Sequence, residues 1–253
     1  VQFAVQSGEI YVIEVNPRAS RTVPFLSKVT GIPMIEVATK VMLGNSLSEQ
    51  GYRSGLGPRQ DLVAIKAPVF SMAKLVGVDT FLGPEMKSTG EVMGIDRSFH
   101  AAVAKALLAS GLNMPPGGSV LLSIADKDKS KAPSLVRALA KANCHLYATE
   151  GTAAMIQALG IEVTLITKRL GHGYPSVVDV IVNGTVDAVV NTVSEAASTL
   201  RDGFQIRRAA VEHRIPCFTS LDTARAAVES LLHGSDAFNV RPVHEYLSGQ
   251  CDE

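Results

Sequence analysis

The run SVLLSI at residues 119–124 decides the fold of the larger part of this chain, because it is the first of five short apolar runs separated by helix-length segments. Short continuous runs of aliphatic residues are typical of strands that are buried on both faces of a sheet. The alternation of such strands with helices predicts an α/β domain, a doubly wound parallel five-stranded sheet with helices on both faces. The predicted strands cover residues 119–124, 144–149, 163–166, 188–191 and 217–219.

Polar residues follow these predicted strands at the edge where a parallel sheet gathers its carboxyl ends, and such sheets bind ligands there. A phosphate monoester suits this edge, because hydroxyls and free backbone N–H groups can donate hydrogen bonds to the phosphate and lysines add positive charge. Asn191 can form hydrogen bonds with a sugar or a base. The alternative is that threonine and asparagine only cap helices, as they often do. The predicted ligand contacts are Lys129, Thr149, Gly151, Thr152, Lys168, Asn191 and Thr192.

A second motif, IEVNPRASR at residues 13–21, ends a predicted β-hairpin whose loop we place at residues 7–9. This three-residue loop puts Gln2 opposite Glu14. Strand alternation then separates a polar face from an apolar one. The polar face carries Gln2, Glu14 and Asn16, and the apolar face carries Phe3, Val5, Tyr11, Ile13 and Val15.

The polar face of this hairpin is a row of oxygen ligands beside two arginines. Carboxylate and amide oxygens suit Mg²⁺ together with substrate phosphates, and the arginine forks of Arg18 and Arg21 suit phosphoryl oxygens. The motif therefore indicates a metal-phosphate clamp in a nucleotide-using ligase. The alternative is an exposed hairpin face followed by a turn at Pro17.

Composition excludes several classes of protein. The formal net charge is zero, so no nucleic-acid partner is expected, and no apolar run is long enough to span a membrane. Three widely spaced cysteines indicate reduced thiols in a cytoplasmic protein without a zinc site. A start at Val1 within a strand-like run, without a signal-peptide pattern, leads us to expect a piece of a longer protein.

The motif at residues 13–21, with the block LGPEMKSTGEVMG at residues 82–94, resembles the end of the second ATP-grasp unit of the carbamoyl-phosphate synthase large subunit. The resemblance implies an α+β part that uses ATP with Mg²⁺ or Mn²⁺. It implies that Gln2, Glu14 and Asn16 are metal ligands, that Gln2 and Glu14 also contact ATP, and that Arg18 and Arg21 are catalytic phosphate contacts. Because the rest of the ATP site would precede Val1, we expect the 253 residues alone to be inactive.

The second half resembles the methylglyoxal-synthase-like domain, the allosteric end of the same subunit. The resemblance implies that the seven strand-end residues contact a nucleotide effector such as UMP or IMP, and that a glutaminase small subunit is a partner. In other branches of the family the effectors are UTP and phosphoribosyl pyrophosphate, or N-acetylglutamate, and the threonine and lysine pattern here favours a phosphorylated effector. Ala67 and Cys217, at the positions of an ornithine site in some members, are too apolar for an amino acid. We place the domain boundary between residues 113 and 114, where GLNMPPGG at 111–118 breaks regular structure.

Two other classes of function remain open at this stage. A methylglyoxal-synthase-type lyase needs a carboxylate base, and the turn GHGYP at residues 171–175 offers none. A standalone regulatory or docking module could use the basic helical face predicted at residues 205–214. Apolar strands at an open sheet edge would also allow homo-oligomerisation.

Overall fold

The structure of this protein is a computed structural model, which describes residues 1–55, 57, 59–74, 78–82, 86–167, 175–193, 197–234 and 239–247. The chain divides into two compact units. The first unit is Val1–Leu62 with Arg241–Glu253, and the second is Val63–Val240. This division reflects packing and does not test the family boundary expected between residues 113 and 114, which stays a prediction.

The first unit begins with a hairpin of β1 (Gln2–Gln6) and β2 (Glu9–Glu14). The predicted three-residue loop is wrong, because Gln6 pairs with Glu9 and the turn has two residues. Ser7 and Gly8 both have positive φ, 51° and 85°, as the favoured two-residue hairpin turn requires. A register shift beside Gln2 then restores the predicted Gln2–Glu14 pair.

The same register corrects the predicted faces of the hairpin. Phe3 lies opposite Val12, and Ala4 lies opposite Tyr11. Directly paired residues of an antiparallel ladder share a face, so Tyr11 does not share the face of Phe3 as we predicted. Every residue of both strands is exposed within the described structure.

Three helices complete the described part of this unit. α1 (Thr22–Thr30) ends at Gly31, whose left-handed φ of 72° caps the helix. α2 covers Met34–Met42. α9 (Val243–Leu247) packs against α1, and a Cβ added to Gly31 would lie 3.4 Å from Leu247 Cδ1.

The second unit starts with an antiparallel pair, β3 (Val63–Val69) and β4 (Gly90–Asp96), covered by α3 (Phe99–Ser110). Ser98 caps this helix by accepting a hydrogen bond from the Ala101 N–H at 3.5 Å. Gly94 permits the close approach of α3, because a Cβ there would lie 2.1 Å from the Ala102 carbonyl oxygen.

A five-stranded sheet forms the rest of this unit, and all its pairings are parallel in the order β7-β6-β5-β8-β9. All five predicted strands are present within a residue or two, which confirms the α/β prediction. The strands are β5 (Ser119–Ser123), β6 (His145–Thr149), β7 (Thr164–Ile166), β8 (Ala188–Asn191) and β9 (Cys217–Phe218). The helices are α4 (Pro133–Lys141), α5 (Glu150–Ala158), α6 (Val177–Val182), α7 (Ala197–Glu212) and α8 (Leu221–Gly234).

Two hydrophobic clusters hold this sheet between its helices. On one face, Val120 and Leu122 of β5 pack with buried residues of α4, α5 and α8. On the other face, Leu121 and Val189 pack with buried residues of α6 and α7. Since both faces are covered, the loops at the carboxyl ends of the strands are left to form a site.

Candidate functional site

The ends of β5, β6 and β8 meet around residues 123–125. Thr152 Oγ1 accepts a hydrogen bond from the Ile124 N–H at 3.0 Å, and Thr192 Oγ1 accepts one from the Ala125 N–H at 2.8 Å. The two threonines are buried and flank the same turn of backbone. These contacts bring together the ends of β5, β6 and β8, whereas the predicted fourth edge, which starts at Lys168 after β7, lies outside the described residues.

The threonine side chains do not act as helix caps in the described contacts. Thr149 is the residue before α5, yet its hydroxyl makes no cap bond and instead donates to Thr152 Oγ1 at 3.4 Å. Thr192 Oγ1 is used as the acceptor for the Ala125 N–H. The capping alternative therefore does not account for Thr149.

Lys129 reaches the start of α5. It lies in a 3₁₀ turn at Asp126–Lys131, where its Nζ is 2.7 Å from Asp126 Oδ1. A Cβ added to Gly151 would lie 2.7 Å from the same Nζ, so the lysine rests against the backbone at this position. A cation beside the first N–H groups of a helix is suited to a phosphate or another anion.

Asn191 is buried at the end of β8, and its amide is bonded on both sides. Its Nδ2 donates to the Ser123 carbonyl oxygen at 3.3 Å, and its Oδ1 accepts from Arg207 Nη1 at 2.8 Å. Arg207 also donates from Nε and Nη2 to both carboxylate oxygens of Asp79, at 2.8 and 2.6 Å. This chain of contacts was not predicted from the sequence.

Asp79 is held in its charged form by this arrangement. Burial on its own raises the pKa of Asp79, but hydrogen bonds from Arg207 and the Phe81 N–H, with the charges of Arg207 and Lys87, lower the pKa below its ordinary value of 3.8. Two arginines of the basic helical face considered for docking are engaged within the chain, whereas His213 and Arg214 are exposed. Arg207 is 1% exposed, and Arg208 donates to the Met72 carbonyl oxygen at 3.4 Å.

Lys168 lies outside the described residues, as do residues 171–174 of the turn that we considered for lyase chemistry. The other six predicted effector contacts form two adjoining groups. Thr149, Gly151 and Thr152 lie at the β6–α5 junction, which the Lys129 side chain reaches, and Asn191 and Thr192 lie at the end of β8. Their role in binding stays a prediction.

A cleft of about 940 Å³ adjoins this site on the side of β9. Thr192 lines it, so it opens next to the predicted effector contacts. Its lining combines hydroxyls with charged and apolar side chains. The lining residues include Phe81, Lys127, Asp128, Lys131, Ser134, Thr219, Asp222 and Arg225.

The predicted metal ligands of the first unit lie next to each other on the hairpin. Gln2 and Glu14 are cross-strand partners, and Asn16 Nδ2 donates to Glu14 Oε1 at 2.9 Å. Arg18 donates to the Ala19 carbonyl oxygen at 3.1 Å, and Arg21 immediately precedes α1. Oxygen donors of this kind fit Mg²⁺ or Mn²⁺. The described residues contain no group of three or more His, Cys, Asp or Glu side chains that could hold a metal ion.

Among the described residues, every helix is too short or too polar to cross a bilayer.

Comparison with known proteins finds relatives for both parts. A family model described as "MGS-like domain" matches residues 131–219, and one described as "Carbamoyl-phosphate synthase L chain, ATP binding domain" matches residues 1–50. The chain is 60% identical over 251 residues to the "Carbamoyl phosphate synthase large chain" of Thermomicrobium roseum. The match covers 99% of this chain but 23% of the relative, so the chain spans about a quarter of that protein's length. The resemblance found in the sequence is thereby confirmed.

Proposed function

Since the chain belongs, as a portion, to the family of carbamoyl phosphate synthase large chains, we propose that it carries part of the carbamate-phosphorylating site and the nucleotide-responsive domain of such a synthase. The intact parent makes carbamoyl phosphate from bicarbonate, glutamine or ammonia and two ATP, for pyrimidine and arginine biosynthesis. It acts in the cytoplasm with a glutaminase small subunit as partner.

In the first unit, Gln2, Glu14 and Asn16 hold Mg²⁺ or Mn²⁺ through their oxygen atoms. When bound, the metal neutralises charge on the phosphoryl groups of ATP. Arg18 and Arg21 orient phosphoryl oxygens through paired N–H donors. The adjacency of Glu14 with Gln2 and Asn16 on one hairpin supports this assignment.

In the second unit, the group at the β6–α5 junction binds the phosphate of a nucleotide effector such as UMP or IMP. The single observation that carries this proposal is the position of Lys129 Nζ against the backbone at Gly151, which is the residue before the buried Thr152. Asn191 and Thr192 lie on the side where the nucleoside would extend. We include Lys168, which follows β7 in sequence, among the effector contacts.

Two variants of the intact parent test the two assignments separately. Glu14→Ala abolishes carbamate phosphorylation while nucleotide binding in the second unit survives, because the substituted residue holds only the metal and ATP. Thr152→Ala abolishes the response of turnover to UMP or IMP. Steady-state assays with and without nucleotide measure both effects.

Matched control variants separate these roles from misfolding. Glu9→Ala changes another exposed glutamate of the same strand as Glu14, and Thr164→Ala changes an exposed threonine of the neighbouring strand β7. Both controls are expected to behave as the unaltered parent. Full activity of the Glu14 variant would refute the metal assignment, and an unchanged nucleotide response of the Thr152 variant would refute the effector assignment.

A further inference from the structure

Arg207 lies at the centre of a buried polar network between α7 and the end of β8. Its guanidinium donates to Asp79 from two nitrogens and to Asn191 Oδ1 from the third, at distances of 2.6 to 2.8 Å. Gly203, one turn earlier on α7, provides the room, since a Cβ there would lie 2.8 Å from Arg207 Nη1 and 3.4 Å from Asn191 Oδ1. The absence of a side chain at Gly203 therefore allows the Arg207 guanidinium to reach Asn191.

The carboxylate of Asp79 makes this burial possible. An arginine side chain that is only 1% exposed needs a charge partner, because the desolvation of an unpaired cation is very unfavourable. Two parallel hydrogen bonds to one carboxylate also fix the plane of the guanidinium. Lys87 holds the backbone beside Asp79 by donating to the Phe81 carbonyl oxygen at 2.7 Å.

The network also fixes the direction of the Asn191 amide. Arg207 holds Oδ1, and the Ser123 carbonyl oxygen holds Nδ2. A 180° flip of the amide would place Nδ2 against the Arg207 donor and Oδ1 against the Ser123 carbonyl oxygen, so both hydrogen bonds would be lost. Among the described residues, one Nδ2 hydrogen and one Oδ1 lone pair of this buried side chain have no partner. A nucleoside that bonds to Asn191 therefore meets an amide whose orientation depends on Arg207 and, through it, on Asp79.

We propose that Arg207 is a positioning residue that orients Asn191 for the nucleoside part of the effector and couples the occupied site to residues 78–82. This inference rests on the proposed effector function. It adds Arg207 as a positioning residue and residues 78–82 as a segment that responds to the bound effector. The coupling is reciprocal, so binding at Asn191 stabilises the Asp79 contact as much as that contact favours binding.

The first test compares nucleotide with inorganic phosphate on the folded chain. Asp79→Asn keeps the size of the side chain but removes its charge, which loosens Arg207 and hence Asn191. Calorimetric titration with UMP and IMP is expected to show an affinity lowered by about fivefold or more, in the range typical of couplings between sites. Binding of inorganic phosphate, which occupies the Lys129, Thr149 and Thr152 end, is expected to be unchanged.

The matched control is Glu212→Gln, which breaks the neighbouring ion pair of Arg208 with Glu212 on the same helix, at 2.6 Å. It is expected to leave nucleotide affinity unchanged. Arg207→Lys should reproduce the Asp79→Asn loss, and the double variant should lose no more than either single variant, because both changes break one network. A general loss of structure would instead weaken phosphate and nucleotide binding together.

A second test needs no variant. Hydrogen exchange of the unaltered chain, with and without UMP or IMP, is expected to slow at the amides of residues 78–82 and to stay unchanged in the hairpin of β1 and β2. Nucleotide binding without any change at 78–82, or an Asp79→Asn variant that binds nucleotide normally, would overturn the inference while the effector function stands. Absence of nucleotide binding by the unaltered chain would overturn the effector function itself, and the inference with it.

Discussion

Arg207 and Asp79, which are 128 residues apart in the chain, are joined by two parallel hydrogen bonds of 2.8 and 2.6 Å. The pair ties the segment that follows β3 to helix α7. The third guanidinium nitrogen extends the contact to Asn191 at the end of β8. One arginine therefore connects the segment between β3 and β4 with the parallel sheet within the second unit.

Substitution of Asp79 should reduce stability in a pH-dependent way. At pH 7, Asp79→Asn is expected to lower the free energy of unfolding by about 3 kcal/mol, because it leaves the buried Arg207 without its charge partner. This value is at the low end of the range for broken buried ion pairs, since 33% of the Asp79 side chain is exposed. Since folding lowers the pKa of Asp79, its stabilisation is complete above the ordinary pKa of 3.8 and is lost as the pH falls below it.

Urea unfolding of both proteins between pH 7 and pH 3 measures this effect. The difference between them should shrink as the pH falls below 3.8, while contributions of other carboxyl groups such as Asp96 cancel. A difference that is the same at pH 7 and pH 3 would contradict the assigned ionic contact.

Gly94 should not tolerate a side chain. A Cβ there would lie 2.1 Å from the Ala102 carbonyl oxygen and 2.5 Å from the Ala106 nitrogen, both of which belong to the backbone of α3. Gly94→Ala is expected to destabilise the protein by about 3 kcal/mol or more, because α3 must move away from β4. Thermal unfolding checks this, with Gly90→Ala in the same strand as control, since a Cβ there meets its nearest atom at 3.9 Å. Equal melting temperatures of the two variants would show that α3 lies farther from β4.

Thr152 should contribute to stability as well as to ligand binding. Thr152→Ala leaves the buried Ile124 N–H without its acceptor, which typically costs about 1–3 kcal/mol. Thr152→Ser retains a hydroxyl oxygen at this position and should lose much less stability. Chemical denaturation of the two variants checks the difference, and an alanine variant as stable as the serine variant would exclude this hydrogen bond.

The described cysteines should react slowly in the folded protein. Burial raises the pKa of Cys144 and raises that of Cys217 to about 12, so both side chains are thiols rather than reactive thiolates at pH 8. Alkylation by iodoacetamide, followed by mass spectrometry in a Cys251→Ser background, should modify both residues far more slowly than in urea-unfolded protein. Rapid labelling of Cys217 in the folded state would show that its environment is more open.

The five-stranded sheet was predictable because short strand-like runs alternate with helix-length segments, and the central strands β5 and β8 have the aliphatic composition that burial on both faces demands. The hairpin register was not predictable, because its two-residue turn needs positive φ at Ser7 as well as at Gly8. Serine rarely adopts that conformation, so the sequence did not indicate it. The Gln2–Glu14 pair was nevertheless predicted, since the register shift compensates for the shorter turn.

The network around Arg207 was missed because adjacent arginines on a helix usually indicate a solvated face. A signal was present in the helical spacing: Arg207 precedes the buried Ala210 by three residues and follows the buried Ile206, so it lies beside the apolar stripe. Its partner could not be identified, because Asp79 is distant in sequence and no local pattern links the two. Long-range ion pairs of this kind depend on the packing of helices that the sequence does not specify locally.

Calorimetric titration of this chain with UMP and IMP, alongside UTP and N-acetylglutamate, tests the central claim most directly. The account predicts saturable one-site binding of a nucleotide that is lost in Thr152→Ala and retained in Thr164→Ala. Failure of all four ligands to bind the folded chain would contradict the assignment of the second unit as a nucleotide effector domain.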